Sequence, residues 1–445
     1  MNTEQQWSEM TWREKREKRF EKWLSAEDIS FSSREAGQKY RERATRMTKA
    51  IKMEIPDRVP VHLTSGGIIA YNAGFTLKDV IYDYSKIMPA WKKWLNDYDQ
   101  DSNDIPGFFP ARVYEILDYR SMKWPGGGLP DSASIQNFVE REYMHADEYD
   151  LFVNDPFDFG TRYFTPRTWG AFELLSHIPP LSSYQGLPQR LMAMCQDPAF
   201  VKLFKAIWEA SEENTKYQQV IRECAQVSLE SGFPPFVGGM AQAPYDTIAD
   251  SLRGTRGITV DMYRQPEKVL ETLEAIVERA VRSAVQMTDM ARSPIVLIPM
   301  HKGDVSFMSV KQFETFYWPT FRKLLLGLVN EGCVPWMVID GRYDEARLEI
   351  ISDLPRSSVV WNMEQTDMFK AKEILGDSAC ITGNVTAAQL YTHSPQEIKE
   401  YCRKLIEVCG EDGGYILSLG SGPDKCDPAC LHAMIEAAQE YGVYK

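Results

Sequence analysis

Short apolar runs that alternate with helical segments constrain this chain more than any other feature. Seven runs are apolar along most of their length, as expected for parallel strands covered on both faces. They are RVPVHL (58–63), PPFVGGMAQ (234–242), PIVLIPMH (294–301), VPWMVID (334–340), SSVVWNME (357–364), SACITGNV (378–385) and GGYILSLG (413–420). A weaker run, YDQDSND (98–104), brings the number to eight. Eight strands that alternate with helices predict an α/β fold, the TIM (β/α)8 barrel.

The domain organisation follows from these strands. Residues 105–233 separate the second and third predicted strands, and this long insertion is expected to cap the barrel. Residues 1–57 precede the first strand and mix acids and bases with Trp12, Phe20 and Trp23, which predicts an N-terminal helical arm. The arm packs either on its own barrel or at the interface of a homodimer. The barrel with its cap is expected to span 58–445.

Charge and cysteine content exclude several classes of protein. A net charge of −13 argues against nucleic acid as a partner, because phosphate binding requires a concentrated basic surface. No apolar stretch is long enough for a membrane span, and the N-terminus lacks the apolar core of a signal peptide. Eight cysteines without a CxxC pair fit a reduced, cytoplasmic protein.

Ionisable residues end three successive predicted strands. His301 ends the fourth strand, Asp340 the fifth and Glu364 the sixth. Neighbouring strands lie about 4.8 Å apart, and the carboxyl ends of barrel strands form the active-site face. We therefore expect His301, Asp340 and Glu364 to meet as catalytic groups. They would either hold a divalent metal such as zinc or form a proton-donating network, although His301 could also simply bond a backbone carbonyl.

Further polar residues near the strand ends are candidate substrate contacts. Lys302 and Asp304 either bind a substrate carboxylate or pair with each other. The full set of substrate-binding candidates is Gln242, Lys302, Asp304, Arg342 and Asn384.

Other residues have structural interpretations. Asp344 sits where a helix begins, which suits the helix dipole, whereas Arg347 is expected on the solvated surface. His62 lies within the first strand, where a packing role is expected. The aromatic residues of the insertion, as in RTWGAFELL, form either core or a lid over an aromatic substrate.

Several segments resemble the uroporphyrinogen decarboxylase superfamily, from about Arg58 to the C-terminus. The family's acidic EYD stretch, its helix after the fourth strand, its GN element, its last strand and its C-terminal helix have counterparts here. These are ADEYDLFVNDP (146–156), FMSVKQFETFYWPTFRKLL (307–325), DMFKAKEILGDSACITGNV (367–385), GGYILSLGSGPD (413–424) and EAAQEYGVYK (436–445).

Departures from the family's motifs argue against two of its branches, the porphyrinogen decarboxylases and the thiol-methylating enzymes. Where the porphyrinogen decarboxylases carry two arginines that bind propionates, LTSGGIIAYNAG (63–74) carries none. Ser421 in LGSG replaces the histidine of the decarboxylases. The thiol-methylating branch binds zinc at positions that correspond to Val338, Asp340 and Ser421, which cannot form that thiolate site.

The remaining branch comprises corrinoid-dependent O-demethylases. The resemblance implies a methyltransferase that demethylates a methoxylated small molecule, with an aromatic compound favoured. The methyl group would pass to the Co(I) of a corrinoid carried by a separate corrinoid-binding protein. Two alternatives stay open: a decarboxylase of a small carboxylic acid on the same barrel, and a binding or scaffold protein without catalysis.

Overall fold

The computed structural model of the chain describes residues 7–180 and 186–444. Residues 1–6 of the predicted arm, residues 181–185 of the predicted insertion and Lys445 lie outside the described residues. The strands are β1 (Val61–His62), β2 (Met122–Pro125), β3 (Gly128–Leu129), β4 (Asn137–Phe138), β5 (Gly239–Met240), β6 (Ile295–Met300), β7 (Val334–Ile339), β8 (Val360–Met363), β9 (Cys380–Val385) and β10 (Tyr415–Leu419).

Seven of these strands form one parallel sheet in the order β1-β10-β9-β8-β7-β6-β5. Neighbours in this sheet follow the chain order from β5 to β10, and β1 pairs with β10, so that the sheet curls into a barrel. The register sets His62 opposite Ser418 and Leu297 opposite Trp336. The prediction of a TIM barrel is confirmed.

The eighth position of the barrel is irregular. Residues 98–104 do not form the regular strand predicted for them, although backbone hydrogen bonds link them to both neighbours: Asp101 N donates to Val61 O at 2.8 Å, and Phe236 N donates to Asn103 O at 3.0 Å. The side chain of Asp101 replaces one backbone hydrogen bond of the strand pairing, since its Oδ2 accepts from Val61 N at 2.7 Å. Polar side chains thus replace part of the strand pairing and still close the ring.

Helices surround the barrel and build the insertion. They are α1 (Trp12–Leu24), α2 (Arg34–Ile51), α3 (Ile68–Asn72), α4 (Leu77–Tyr82), α5 (Ile87–Asp97), α6 (Ala111–Ile116), α7 (Tyr149–Asn154), α8 (Pro156–Phe159), α9 (Thr165–Thr168), α10 (Leu187–Gln196), α11 (Pro198–Glu230), α12 (Pro244–Asp246), α13 (Gly254–Arg264), α14 (Pro266–Met290), α15 (Val310–Gln312), α16 (Trp318–Asn330), α17 (Glu345–Ile351), α18 (Met368–Leu375), α19 (Ala387–Thr392), α20 (Pro395–Cys409) and α21 (Pro428–Tyr441). Short 3₁₀ segments cover Tyr84–Lys86 and Gly170–His177, and π-helical turns cover Gly160–Phe164, Thr247–Leu252 and Phe313–Tyr317. No helix in the described part of the chain is both long and apolar enough to cross a membrane.

The arm closes the amino-terminal opening of its own barrel. Phe20 and Trp23 of α1 join an apolar cluster inside the barrel that includes Ile295, Val334 and Trp336. Trp23 is fully buried, and its Nε1 donates to Pro235 O at 3.0 Å. The arm therefore packs on its own barrel, whereas a homodimer stays a prediction.

The insertion combines a small sheet with long helices. The sheet has the order β3-β2-β4, and α11 runs for 33 residues. Trp91 Nε1 on α5 donates to Ser228 Oγ of α11 at 2.9 Å, which ties the end of the insertion to the barrel's outer helices. The division of the chain at residues 57/58 and the limits 105–233 stay predictions.

Candidate active site

The ends of adjacent strands bring His301 and Asp340 together. His301 follows the last residue of β6, and Asp340 follows the last residue of β7. His301 Nε2 lies 3.5 Å from Asp340 Oδ2. Both side chains are partly exposed at the open carboxyl-terminal face of the barrel, so a bound molecule can reach them.

A second carboxylate, Asp250, holds the other side of the imidazole. His301 Nδ1 donates to Asp250 Oδ2 at 2.6 Å, and Gln242 Nε2 donates to the same oxygen at 2.8 Å. The hydrogen bond to Asp250 is the main reason that the pKa of His301 is raised, and the charge of Asp340 contributes in the same direction although burial opposes it. His301 thus lies between two carboxylates as a histidine that favours its charged form.

Sequence reasoning missed Asp250 because it lies on a helix and not at a strand end. It belongs to the π-helical turn Thr247–Leu252, which follows β5. Such turns are frequent at functional sites because they re-aim side chains. An Asp eight residues after Gln242 carries no recognisable motif, so the sequence offers no signal for it beyond its place after the third predicted strand.

Asp340 is an acid that titrates close to neutral pH. Burial raises its pKa to about 6, and the charges of Glu364 and Asp250 add to the rise while His301 opposes it. A carboxyl group with this pKa can carry a proton under mild conditions and release it during a reaction. His301 and Asp340 together can therefore supply a proton to a group bound above them.

Glu364 has a hydrogen-bond partner of its own. It follows the last residue of β8, and its Oε1 accepts a hydrogen bond from Ser421 Oγ at 3.0 Å. Across residues 7–180 and 186–444, no three His, Cys, Asp or Glu side chains are placed to hold a metal ion. A metal held by His301, Asp340 and Glu364 therefore stays a prediction.

A buried carboxylate fixes the end of β6. Asp246 is fully buried and accepts from the backbone nitrogens of His301 at 3.0 Å and Lys302 at 3.1 Å. Tyr317 OH donates to it at 2.8 Å. Burial, with the nearby charge of Asp250, raises the pKa of Asp246 to about 6. Asp246 positions His301 from below and was also missed by sequence reasoning.

Lys302 and Asp304 do not pair with each other. Lys302 Nζ lies 3.7 Å from Asp250 Oδ1, whereas Asp304 Oδ1 accepts from Ser306 N at 2.9 Å. Asp304 also lies beneath the turn after Asp340: Gly341 has a φ of 115°, and a Cβ there would come within 2.3 Å of Asp304 Oδ2. Asp304 therefore shapes the turn, and a substrate contact by it stays a prediction.

The other candidate contacts differ in their availability. Asn384 Nδ2 donates to Thr366 O at 2.8 Å and its Oδ1 accepts from Tyr401 OH at 2.7 Å, so protein groups occupy this amide. Arg342 is exposed beside the site. Gln242 faces the same space as His301. Substrate binding by these three residues stays a prediction.

Arg347 is buried, and the expectation of a solvated side chain is wrong. Its side chain forms two contacts of 3.1 and 3.0 Å with Asp344, and its Nε donates to Gly303 O at 3.0 Å. The guanidinium is buried because it holds the loop after Lys302 against α17. Asp344 caps α17 by accepting from Arg347 N at 3.1 Å, which confirms its predicted place at the helix start.

Another acid with a raised pKa, Asp104, lies beside β1, with its Oδ2 3.9 Å from His62 Nε2. Burial raises the pKa of Asp104 to about 7, and its Oδ1 is buried without a partner among the described residues. His62 beside it has a pKa lowered to about 3 by burial, and it stacks on Phe236 at 3.8 Å between ring centroids. His62 is therefore a neutral packing residue, whereas Asp104 is a potential proton donor that sequence reasoning overlooked.

A cavity of about 450 Å³ opens between the insertion and the barrel. Polar residues of the barrel form one wall, and aromatic residues of the insertion form the other. The lining includes Tyr119, Phe138, Tyr143, Phe164, Trp169, Gln242, Asp250, His301 and Lys302. Aromatic residues of the insertion therefore line this cavity, and their role as a lid over an aromatic substrate stays a prediction.

Comparisons with known proteins agree with this architecture. The family model for uroporphyrinogen decarboxylase (URO-D) matches residues 197–441. A uroporphyrinogen decarboxylase from Methylococcus capsulatus is 26% identical over 204 residues, which cover 45% of this chain and 56% of that protein. The enzyme of the same name from Chlorobium phaeovibrioides is 37% identical over 79 residues, 17% of this chain and 22% of that protein. The chain thus spans about half, or less, of the length of these curated relatives.

A solved structure extends the likeness over most of the fold. A methyltransferase from Methanosarcina mazei superposes with a TM-score of 0.57 and 15% sequence identity. The superposition covers 89% of this chain and 98% of that protein. At this identity the likeness concerns the fold.

Proposed function

We propose that this chain, which belongs to the uroporphyrinogen decarboxylase (URO-D) family, is a methyltransferase. It would remove the methyl group of a methoxylated, preferably aromatic, small molecule and pass it to a separate corrinoid-binding protein. The observation that carries the proposal is His301 held between Asp250 and Asp340 at the open end of the barrel. The methyltransferase from Methanosarcina mazei gives this reaction class a precedent on the same fold.

The chemistry requires assistance to the leaving oxygen. When the methyl carbon–oxygen bond of an aryl ether breaks, both electrons stay on the oxygen, and the phenolate leaves poorly unless it is protonated. The corrinoid on its carrier protein would supply the Co(I) nucleophile that accepts the methyl group. This chain would supply the proton, which moves from the imidazolium of His301 or the carboxyl of Asp340 to the departing oxygen.

The surroundings of His301 and Asp340, the two candidate proton donors, suit them to different roles. Asp250 keeps His301 charged and fixes its Nδ1–H, so that Nε2 faces Asp340 and the open site. Asp340, with a pKa of about 6, can hold the proton that His301 donates or receives. Asp246 holds the backbone of His301 in place. Asp250 and Asp340 thus lie against the imidazole and Asp246 holds its backbone, and we take this arrangement as the proton-donating network.

Uroporphyrinogen itself fits this site poorly. Residues 63–74 contain no arginine. Ser421, at the position where the porphyrinogen decarboxylases carry a histidine, donates a hydrogen bond to Glu364. A molecule with many carboxylates would lack bidentate partners there.

Decarboxylation of a smaller acid remains the second candidate. Asp104 favours it, because a buried acid with a pKa of about 7 can protonate the carbanion left when carbon dioxide departs.

The cellular setting proposed for the reaction is the cytoplasm. All eight cysteines are free thiols, as expected in a reducing compartment.

Substitution of the network tests the proposal. Asp340→Asn and His301→Ala should each lower kcat for methyl transfer on the order of 10²-fold with little change in KM, because proton donation acts in the transition state. Glu364→Gln should behave similarly if Glu364 acts with them, and the triple variant should cost about as much as one. Asp377→Asn, an exposed carboxylate outside the site, is the matched control. Wild-type turnover in a folded Asp340→Asn variant would reduce Asp340 to a strand-end carboxylate.

A further inference from the structure

The outer face of α11 exposes three large apolar side chains within five consecutive residues. Trp208 is 70% exposed, and Phe204 and Ile207 are 37% and 36% exposed. Other exposed aromatic side chains, such as Phe157 on α8 and Tyr263 on α13, are exposed singly. Monomeric proteins rarely expose adjacent large apolar side chains, and such patches mark interaction sites. This part of the insertion therefore offers a surface to a partner.

The opposite side of α11 fixes which face of the helix points outward. The buried side consists of residues that recur every seven positions: Leu203, Ala210, Tyr217 and Cys224. Tyr217 OH also donates a hydrogen bond to Phe108 O, which holds the rotation of the helix. Phe204 and Trp208 are four residues apart, so they lie one turn apart on the exposed side. Their exposure is a consequence of how the long helix packs.

Charged side chains of opposite sign border Trp208 along the helix. Lys205 precedes Trp208 by three residues, and Glu212 follows it by four. Seven residues are about two helical turns, so Lys205 and Glu212 lie on the same edge of the exposed face. Neither forms an ion pair with another described residue, and Glu212 Oε1 accepts from Trp208 Nε1 at 3.0 Å. The charge along this edge thus changes from positive to negative on passing Trp208.

A face with this charge order is complementary to itself in one orientation. If two copies of α11 run antiparallel about a twofold axis beside Trp208, Lys205 of each copy lies opposite Glu212 of the other. The two tryptophan side chains then meet at the axis. In a parallel arrangement, like charges would face each other along the whole edge, which is unfavourable.

We propose that a second copy of this chain packs on the Trp208 face, which comprises Phe204, Lys205, Ile207, Trp208 and Glu212, and forms a twofold-symmetric homodimer. Tryptophan is enriched among the residues that dominate interface energies, and the charged edge sets the antiparallel orientation. An interface of this size is at the small end of stable contacts, so dissociation is expected at about micromolar concentration. The proposal is independent of the proposed function, because no residue of α11 lines the cavity at the candidate active site.

Sedimentation equilibrium of the full chain between about 0.5 and 100 µM tests the proposal. Wild-type protein should change from monomer to dimer over this range. Trp208→Glu should weaken association about 30-fold or more, as expected for loss of a central apolar contact. Phe157→Glu replaces an exposed aromatic side chain on α8 and is the matched control, which should dimerise as wild type does.

Two charge variants test the antiparallel orientation. Lys205→Glu and Glu212→Lys each place like charges opposite one another twice in the dimer, and each should weaken association about tenfold. At these two positions one variant carries only glutamates and the other only lysines. An equimolar mixture should therefore associate within about threefold of wild-type affinity, since both ion pairs are restored in the mixed dimer. A role of these side chains within a single chain would not produce this rescue.

A wild-type chain that stays monomeric at about 100 µM would overturn the proposal. Undiminished dimerisation of Trp208→Glu would do the same, as would a mixture of the two charge variants that fails to associate. If wild type is monomeric alone and binds the corrinoid-binding protein through Trp208, the face belongs to that partner and the proposed homodimer is wrong.

Discussion

Asp250→Asn should shift the pH dependence of the reaction through His301. The substitution keeps the size of the side chain and removes the negative charge that contacts His301 Nδ1 at 2.6 Å. In wild type this hydrogen bond is the main cause of the raised pKa of His301, and burial opposes it. Without the charge, burial dominates, and the imidazolium loses its proton at a lower pH.

The size of the shift follows from the type of hydrogen bond. A hydrogen bond to a charged group contributes about 1.5–3 kcal/mol, and one between neutral groups about 1 kcal/mol. The difference of about 0.5–2 kcal/mol corresponds to a fall in the pKa of His301 by about one unit, at about 1.36 kcal/mol per unit. If His301 donates the proton, activity is lost as pH rises through its pKa, so this alkaline limb should move down by about one pH unit.

The assay is the pH profile of kcat/KM for methyl transfer from 4-methoxybenzoate, used as a representative methoxylated aromatic compound. NMR titration of ¹³C-labelled histidines gives the pKa directly, and a His301→Gln variant identifies the resonance among the six histidines. Asp377→Asn serves again as the control and should leave the limb in place. An unchanged limb in Asp250→Asn, or one displaced to higher pH, would refute the assignment of His301 as the acid.

Three further predictions concern stability, the partner and the metal. Asp101→Asn should lower the free energy of unfolding in urea by about 1.5–3 kcal/mol, because the fully buried carboxylate pairs with both Arg46 and Arg58 and the substitution leaves Arg46 with Asp57 as its charge partner; a loss under about 1 kcal/mol would show that the irregular eighth segment does not depend on these ion pairs. Methyl transfer to the corrinoid-binding partner should change severalfold between about 50 and 500 mM salt, because the net charge of −13 influences docking; transfer to free cobalamin is the control, and equal salt responses would contradict charge-dependent docking. Elemental analysis of wild type and Asp340→Asn separates the proton network from a metal held by His301, Asp340 and Glu364: the network predicts the same zinc content in both proteins, and one zinc per chain that disappears in Asp340→Asn would replace the network by a metal.

The fold was predictable because apolar runs and helical segments alternate along the chain. Each predicted strand is an apolar run, four of the seven clear runs end in a polar side chain, and the barrel topology places neighbouring runs side by side. His301 and Asp340 were predicted to meet on this reasoning, and they lie 3.5 Å apart. The weak run at 98–104 was harder to interpret, because its polar side chains replace ladder hydrogen bonds that a regular strand would make.

The other residues at or near the site are brought together by contacts between segments far apart in the sequence, which a local sequence pattern cannot predict. Asp250 lies 51 residues before His301 and reaches it from a helical turn. Arg347 looks like a surface residue of an amphipathic helix, and only the folded loop shows that backbone carbonyls cover its guanidinium. Asp104 is the last residue of the weak run at 98–104, whose other polar residues make an acid at this strand end inconspicuous in the sequence.

Tracing the methyl group of 4-methoxybenzoate tests the central claim most directly. The protein is incubated with 4-methoxybenzoate labelled with ¹³C in the methyl group and a reduced corrinoid-binding protein, and the label, the phenol and carbon dioxide are quantified. The account predicts one equivalent of 4-hydroxybenzoate for each methyl group recovered on the corrinoid-binding protein, with no carbon dioxide. Release of carbon dioxide with the methoxy group intact would contradict it in favour of a decarboxylase, and a methyl group retained covalently on this chain in the absence of the partner would contradict it as well.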